Sequence, residues 1–247
     1  MGLIAKRAIV LVVVLVVAVV LGFGVWASTP LGPDSRAREA MRSGDNIVVT
    51  RTDAGWEFTS PSAEATAGVI IYPGGRVDPR SYAPLARELA KAGYFAVVLR
   101  VPLNLAVTKR NAADAVIAAH PRVPEWAVVG HSLGGAMAAA HVADRPGVYS
   151  ALVLLAAYPP QGVDLTDSGL QVGSYTGSLD SVIDTTAVAA STEQLPADAL
   201  LITVEGANHA QWGSYGSQTG DSPATISPEV QTAIAVDAIA RALGDLP

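Results

Sequence analysis

Trp126-Ala127-Val128-Val129-Gly130-His131-Ser132-Leu133-Gly134-Gly135 is the stretch whose reading decides the fold. An apolar run enters a Gly-His-Ser-Leu-Gly turn, and a small-residue segment, Ala136 to Ala143, follows. That order predicts a strand, a sharp turn and a helix, with Ser132 at the bend. So tight a turn strains the serine backbone, and the residues two before and two after it must be small. Gly130 and Gly134 meet that need because neither carries a Cβ. The hydroxyl then stands at a strand's C-terminal end, and a helix N-terminus is aimed at charge developing beside it.

Strand and helix patterns alternate outward from this point. Upstream, Val69 to Tyr72 reads as a buried strand ended by Pro73-Gly74-Gly75. Pro79 to Ala92 reads as a helix with Tyr82, Leu85, Ala86 and Leu89 on one face, Phe95 to Val101 as a strand, and Leu105 to His120 as a helix. Ile47 to Thr50 and Trp56 to Phe58 suggest an antiparallel pair. Downstream, Ala151 to Ala156, Gln171 to Tyr175 and Leu200 to Glu205 read as strands, and Ser227 to Leu243 as a closing helix with Pro228 in its first turn. The expected fold class is α/β, a three-layer sandwich with a mostly parallel central sheet flanked by helices. Functional groups should gather at the carboxyl ends of its strands.

At 247 residues, 50% hydrophobic and 15% charged, the chain fits one domain plus an apolar appendage. A formal net charge of −6 and the absence of any basic run argue against a nucleic-acid partner. With no cysteine, disulfides, thiolate metal sites and a catalytic thiol are excluded. The four histidines are too dispersed for a metal cluster, and Gly74-Gly75 lacks the setting of a phosphate-binding loop. No metal or organic cofactor is therefore implied.

The appendage is Ala8 to Trp26, free of charge and preceded by Lys6 and Arg7. At helical rise it reaches about 28 Å, close to the roughly 30 Å of a hydrocarbon core. Two readings compete: an uncleaved single-pass anchor with a cytoplasmic N-terminus, and a signal peptide cut near Val25-Trp26-Ala27. The length favours the anchor. Both place the rest of the chain outside the cytoplasm, secreted if the segment is removed. The expected organisation is an anchor or signal segment at 1–27, a linker at 28–45 with a short helix around Arg36 to Arg42, and the catalytic domain at 46–247.

A serine hydroxyl needs a base, and an imidazole is the usual one. His131 sits inside the turn, and His120 and His141 fall at or within helices. His209 instead lies in the loop Gly206-Ala207-Asn208-His209 after a strand, downstream of Ser132. Asp180 follows the strand and Gly-containing turn of 171–179 and lies between the two, which completes the order Ser, Asp, His. Asp184 is the rival, more readily read as a helix-start acid; Asp164 and Asp167 precede the strand. An oxyanion needs two backbone donors. Leu133 supplies one, and Gly75 the other, with Arg76 the alternative.

These residues together resemble the α/β-hydrolase superfamily over about Asn46 to Leu243. More narrowly they are similar to the compact bacterial fold-5 group, often membrane-anchored in actinobacteria. Tyr72 to Arg76, Gly130 to Gly135, Gly177 to Asp180 and Gly206 to His209 carry the resemblance, and His209 to Gly216 looks like that group's histidine loop. It implies a Ser-Asp-His triad of Ser132, Asp180 and His209 and a hydrolase activity, with no defined substrate. Tyr158 to Gly169 is too short for the helical lid many relatives carry. The expected pocket is shallow or open, with Arg76 as a substrate contact and Tyr158, Trp212 and Tyr215 as walls. Gln211, Gln218 and Asp221 are further candidate contacts, weighed equally against a plain surface loop.

The leading expectation is a carboxylesterase-like serine hydrolase working through an acyl-enzyme on a small-molecule or lipid-like ester. An envelope acyltransferase with the same triad and a catalytically silent binding domain of the same fold are the alternatives. Neither acyl chain length nor oligomeric state is legible in the sequence.

Overall fold

The computed structural model describes residues 3–62 and 64–244. Met1, Gly2, Ala63 and the last three residues, which belong to the expected anchor and catalytic domain, lie outside the described residues, as do the side chains of Leu3, Ile4, Ala5, Ala8, Val10, Val20, Ala27 and Ser28. The chain runs α1 (Leu3–Ser28), α2 (Ser35–Ala40), β1 (Val48–Arg51), β2 (Gly55–Thr59), β3 (Gly68–Tyr72), α3 (Ala83–Lys91), β4 (Phe95–Leu99), α4 (Ala112–Ala119) and β5 (Trp126–His131). It continues through α5 (Leu133–Ala143), β6 (Ala151–Leu155), β7 (Gln171–Gly177), α6 (Thr185–Ala190), β8 (Leu200–Val204) and α7 (Pro228–Ala242).

The eight strands form one sheet in the order β1-β2-β4-β3-β5-β6-β7-β8. β2 is antiparallel to β1 and β4, and every other pairing is parallel. Gly55 lets β2 close on β4, because a Cβ there would lie 1.9 Å from the Val98 carbonyl oxygen. β3 to β6 are buried on both faces, as their continuous apolar runs require.

Alternation along these strands feeds two separate cores. Val69, Ile71, Val98, Val129 and Val153 pack with Leu85, Ala86 and Leu89 of α3 and Ala235, Ala238 and Ile239 of α7. Ile70, Val97, Val128, Leu152 and Leu154 pack on the other face with Val116 of α4 and Ala138, Ala139 and Val142 of α5. Each fully buried aliphatic side chain contributes about 1.5–3 kcal/mol, so a one-residue slip in register would exchange the two layers. Strand order reverses across β3, with β4 on one side and β5 on the other. The crevice of a sheet of this kind opens at that place, beyond the carboxyl ends of the strands.

Two predicted helices are shorter than their sequence patterns. Pro79 to Tyr82 forms a 3₁₀ turn, and α3 starts at Ala83 with Pro84 in its first turn, where a missing N–H costs nothing. Likewise a 3₁₀ turn at Ala106–Lys109 precedes α4. The segment expected as a linker is fastened to the body. Leu31 pairs with Val77, Ala37 of α2 is buried, and Arg36 donates to the Ser214 and Thr232 hydroxyls at 3.0 and 2.9 Å.

α1 is a helix of 26 residues, and its described apolar side chains, Leu11 to Val17 among them, are exposed. Phe23 and Trp26 lie 5.6 Å apart near its C-terminal end. Among the described residues no helix is long and apolar enough to cross a membrane, several α1 side chains being outside that set. The expected membrane helix therefore rests on the sequence.

Candidate active site

Ser132 lies between β5 and α5 with φ 52° and ψ −128°, a conformation that non-glycine residues rarely adopt. Its amide donates to the Leu155 carbonyl of the neighbouring strand at 3.0 Å, and its carbonyl accepts from the Gly135 amide at 2.9 Å. The glycines around it are steric necessities. A Cβ on Gly130 would lie 2.4 Å from Gly135 Cα, and one on Gly134 would lie 2.3 Å from the Pro73 carbonyl oxygen. The turn closes only because those atoms are absent, and closure holds Ser132 half-exposed at the strand end.

Gly75 sits beside this turn, its would-be Cβ 3.0 Å from Leu133 Cδ2. Among the described residues, the Gly75 and Leu133 amides donate to nothing, whereas the Arg76 amide donates to the Asn104 carbonyl at 2.8 Å. Two free amides thus flank the serine, and Arg76 is no longer an alternative as a backbone donor. Its side chain is also committed. Nε and Nη2 donate to the Trp26 and Thr29 carbonyls, both at 2.8 Å, and the guanidinium stacks 4.2 Å from the Trp26 ring centroid. The expected substrate contact is instead a clamp on the end of α1, whose last carbonyls lack helical partners.

Asp180 and His209 come from the loops after β7 and β8, and they meet. His209 Nδ1 and Asp180 Oδ2 are 2.8 Å apart, and both side chains are almost fully buried. Burial pushes the Asp180 carboxyl up, but His209 and the Ile183 and Val182 amides outweigh it, so its pKa lies below the ordinary range. The carboxylate is thus held ionised against the imidazole, which fixes the tautomer with Nε2 available. His209 approaches His131, the residue before Ser132, at 4.7 Å between ring centroids. Ser132 Oγ makes no hydrogen bond among the described residues; such contacts tighten when substrate binds.

A second set of polar groups braces the acid and base loops. Asp221 Oδ2 accepts from the Ala210 amide at 2.8 Å, and Oδ1 accepts from the Ser181 amide at 3.3 Å, so one carboxylate joins the residues next to His209 and Asp180. Gln231, buried in α7, donates to the Asn208 carbonyl at 2.8 Å and accepts from its amide at 3.3 Å. Asn208 Nδ2 donates to the Ser222 carbonyl at 2.7 Å. Asp221, in the sequence a candidate substrate contact, is here committed to the Ala210 and Ser181 amides. Gln231 carries a clearer signal, a polar residue on the inward face of a helix, but an amide side chain is not itself an acid, base or nucleophile.

The other candidates lie apart from this centre. Asp184 caps α6, its Oδ1 accepting from the Thr186 and Ala187 amides at 2.9 and 3.1 Å. His120 contacts Glu57 at 3.1 Å, and His141 contacts the Tyr149 hydroxyl at 2.7 Å. Tyr158 is half-buried beyond the end of β6. Trp212 and Tyr215 are buried in the core on the α7 side rather than standing as open walls. Removing two large aromatic surfaces from water outweighs leaving them in a solvated rim. Tyr215 donates to Gln218 Oε1 at 2.9 Å, and Gln211 Oε1 is buried without a partner among the described residues. Tyr158 to Gly169 runs as turns, held down by Gln194 Nε2 donating to the Pro160 and Val163 carbonyls at 2.9 and 2.7 Å. The cavity of about 1000 Å³ lined by Arg36, Arg87, Glu229 and Asp237 shares no residue with the site.

A doubly covered, mostly parallel sheet with a strained serine turn after β5 and a buried imidazole–carboxylate pair from the loops after β7 and β8 points to a class of fold. The chain matches the sequence model of the alpha/beta hydrolase family over residues 68–233, more than half its length, and it belongs to that family. The fold is also similar to a carboxylesterase from Mesorhizobium loti, at 16% identity and TM-score 0.54 over 78% of this chain and 98% of that one. Alpha/beta hydrolase domain-containing protein 10 from mouse aligns at 13% identity and TM-score 0.55 over 81% and 99%. A dienelactone hydrolase-like promiscuous phosphotriesterase from metagenomic libraries aligns at 18% and 0.55 over 79% and 97%. No curated protein sequence matches.

Proposed function

We propose that this protein is a serine hydrolase that cleaves a carboxylic ester through an acyl-enzyme. The observation that carries the reading is the positive-φ Ser132 at the β5 terminus together with the His209–Asp180 pair at 2.8 Å. His209 Nε2 takes the proton as Ser132 Oγ attacks the ester carbonyl carbon. The Gly75 and Leu133 amides hold the oxyanion, and they hold it more strongly in the tetrahedral state than in the substrate. The C–O bond breaks, and the alcohol leaves with the proton from His209. Water then attacks the acyl-serine with His209 again as base, releasing the acid and restoring the hydroxyl. The similar fold of a carboxylesterase supports an ester as the bond attacked.

The test is labelling of the full chain by a fluorophosphonate probe. Wild type takes the label and turns over short p-nitrophenyl esters, and Ser132→Ala does neither. Folded wild-type protein that resists the probe overturns the reading. Adding an alcohol acceptor separates hydrolysis from acyl transfer.

The same reading includes a tether: α1 as a single-pass anchor with Lys6 and Arg7 on the cytoplasmic side and the catalytic domain outside. Its supports are the charge-free run from Ala8 to Trp26, the exposure of the described side chains and the aromatic pair at the end. Alkaline carbonate extraction of membranes leaves the protein in the pellet if α1 is retained, and releases it if α1 is cleaved or does not insert.

A further inference from the structure

His131 stands between the two halves of the site, and the proton count around it is decisive. It is 2% exposed, and Nδ1 lies 2.7 Å from the hydroxyl oxygen of Tyr82, itself 1% exposed. That oxygen also accepts from the Gly74 amide at 2.8 Å, a group that can only donate. The Tyr82 hydroxyl therefore keeps its own proton to give, and among the described residues Nδ1 is the one acceptor it meets. The opposite assignment would make the phenol accept twice and leave both its O–H and the Nε2 lone pair unpaired, whereas a proton on Nε2 leaves only that N–H unpaired. So His131 carries its proton on Nε2.

Nε2 is buried and, among the described residues, makes no hydrogen bond of ordinary geometry, although the His209 main chain acts on the ring as a hydrogen-bond partner. His209 is what it faces, 4.7 Å away between ring centroids. Burial first, and the neighbouring His209 second, hold the His131 pKa well below its ordinary value, while the His209 main chain pulls weakly the other way. Gly74 completes the arrangement. A Cβ there would lie 2.9 Å from His131 Nδ1 and 3.0 Å from the Tyr82 hydroxyl. The two glycines of the loop thus serve different neighbours: Gly74 admits the Tyr82–His131 pair, and Gly75 approaches Leu133.

We infer that His131, tied to Tyr82, is a positioning residue that holds the oxyanion loop and the His209 loop in register. The inference rests on the hydrolase reading of Ser132 and His209. The chain of contacts runs from the Gly74 amide through the Tyr82 hydroxyl and the His131 ring to His209. A neutral wedge suits this place, since a second imidazolium would repel the charge that His209 gains during the reaction.

The pair is tested with Tyr82→Phe, which removes one oxygen, and with His131→Asn, whose Oδ1 can replace Nδ1 as acceptor, against His131→Leu. Tyr82→Phe lowers kcat about tenfold or more and leaves KM within about twofold, because freeing the Gly74 amide shifts the loop that carries the Gly75 amide, which acts in the transition state. His131→Asn keeps more of kcat than His131→Leu does. In ¹⁵N spectra of the full chain, His131 shows an unprotonated Nδ1 that does not titrate between about pH 6 and 8, and Tyr82→Phe shifts that resonance. Wild-type kcat in Tyr82→Phe, or a proton on Nδ1, overturns the inference. Absence of fluorophosphonate labelling in wild type removes the hydrolase reading instead, and the ¹⁵N readout still decides the tautomer without turnover.

Discussion

Around Ser132 the geometry comes from atoms that are missing, and around His209 it comes from bonds that are made. The nucleophile turn occupies a few consecutive residues. Three glycines leave room for the backbone to approach itself, the Pro73 carbonyl and Ala157. The acid–base end is assembled from residues 11 to 40 positions apart, with His209 bonded to Asp180, Ala210 and Ser181 joined through Asp221, and Asn208 gripped by Gln231. A steric device fails abruptly when one carbon is added. A bonded device loosens by degrees.

The contrast can be broken most sharply at the acid. Asp180→Asn should lower kcat by about 10⁴-fold, because the imidazole loses its tautomer and its counter-charge. Esterase kinetics check it, and a larger loss from replacing Asp184 would reverse the assignment. At the other end, Gly134→Ala should cost about 3 kcal/mol of stability or prevent folding, since the added carbon meets backbone oxygen rather than a side chain that can swing away. Denaturant melts measure this, and a near-neutral result would show that the turn can relax. Asp221→Ala tests the graded device: a loss of about fivefold in kcat, with KM little changed and the fold retained, is expected from a slightly misplaced His209.

Asp184→Ala serves as the control, costing about 1 kcal/mol through a lost helix cap while leaving turnover intact. The smallest effect concerns pH. Burial lowers the pKa values of His131 and His141, so near and below pH 6.5 the unfolded chain binds protons that the folded chain does not. Stability is therefore full above that range and falls as pH drops toward 5. Asp180, depressed in the fold, adds a further loss only near and below about pH 4, its unfolded value. Urea melts at pH 7.5 and 5.0 check the sign, and His131→Asn should flatten the slope.

Much of the nucleophile half is legible in the chain's local patterns. The strand–turn–helix around Ser132, the continuous apolar strands and the acid-then-base order are local or nearly local signals. Steric exclusion and alternation act over a few residues, so the sequence by itself determined the elbow, the parallel sheet and the loops that could hold an acid and a base. The tertiary structure alone decided which groups face one another. It turned Arg76 from a substrate contact into a clamp on α1, sent Trp212 into the core and made Asp221 a brace. It also placed the Tyr82 hydroxyl, which the helical pattern marks only as part of an apolar face, on His131 and Gly74. A hydrogen-bond partner far along the chain leaves no periodicity in a single sequence, because its identity depends on where the sheet folds each loop.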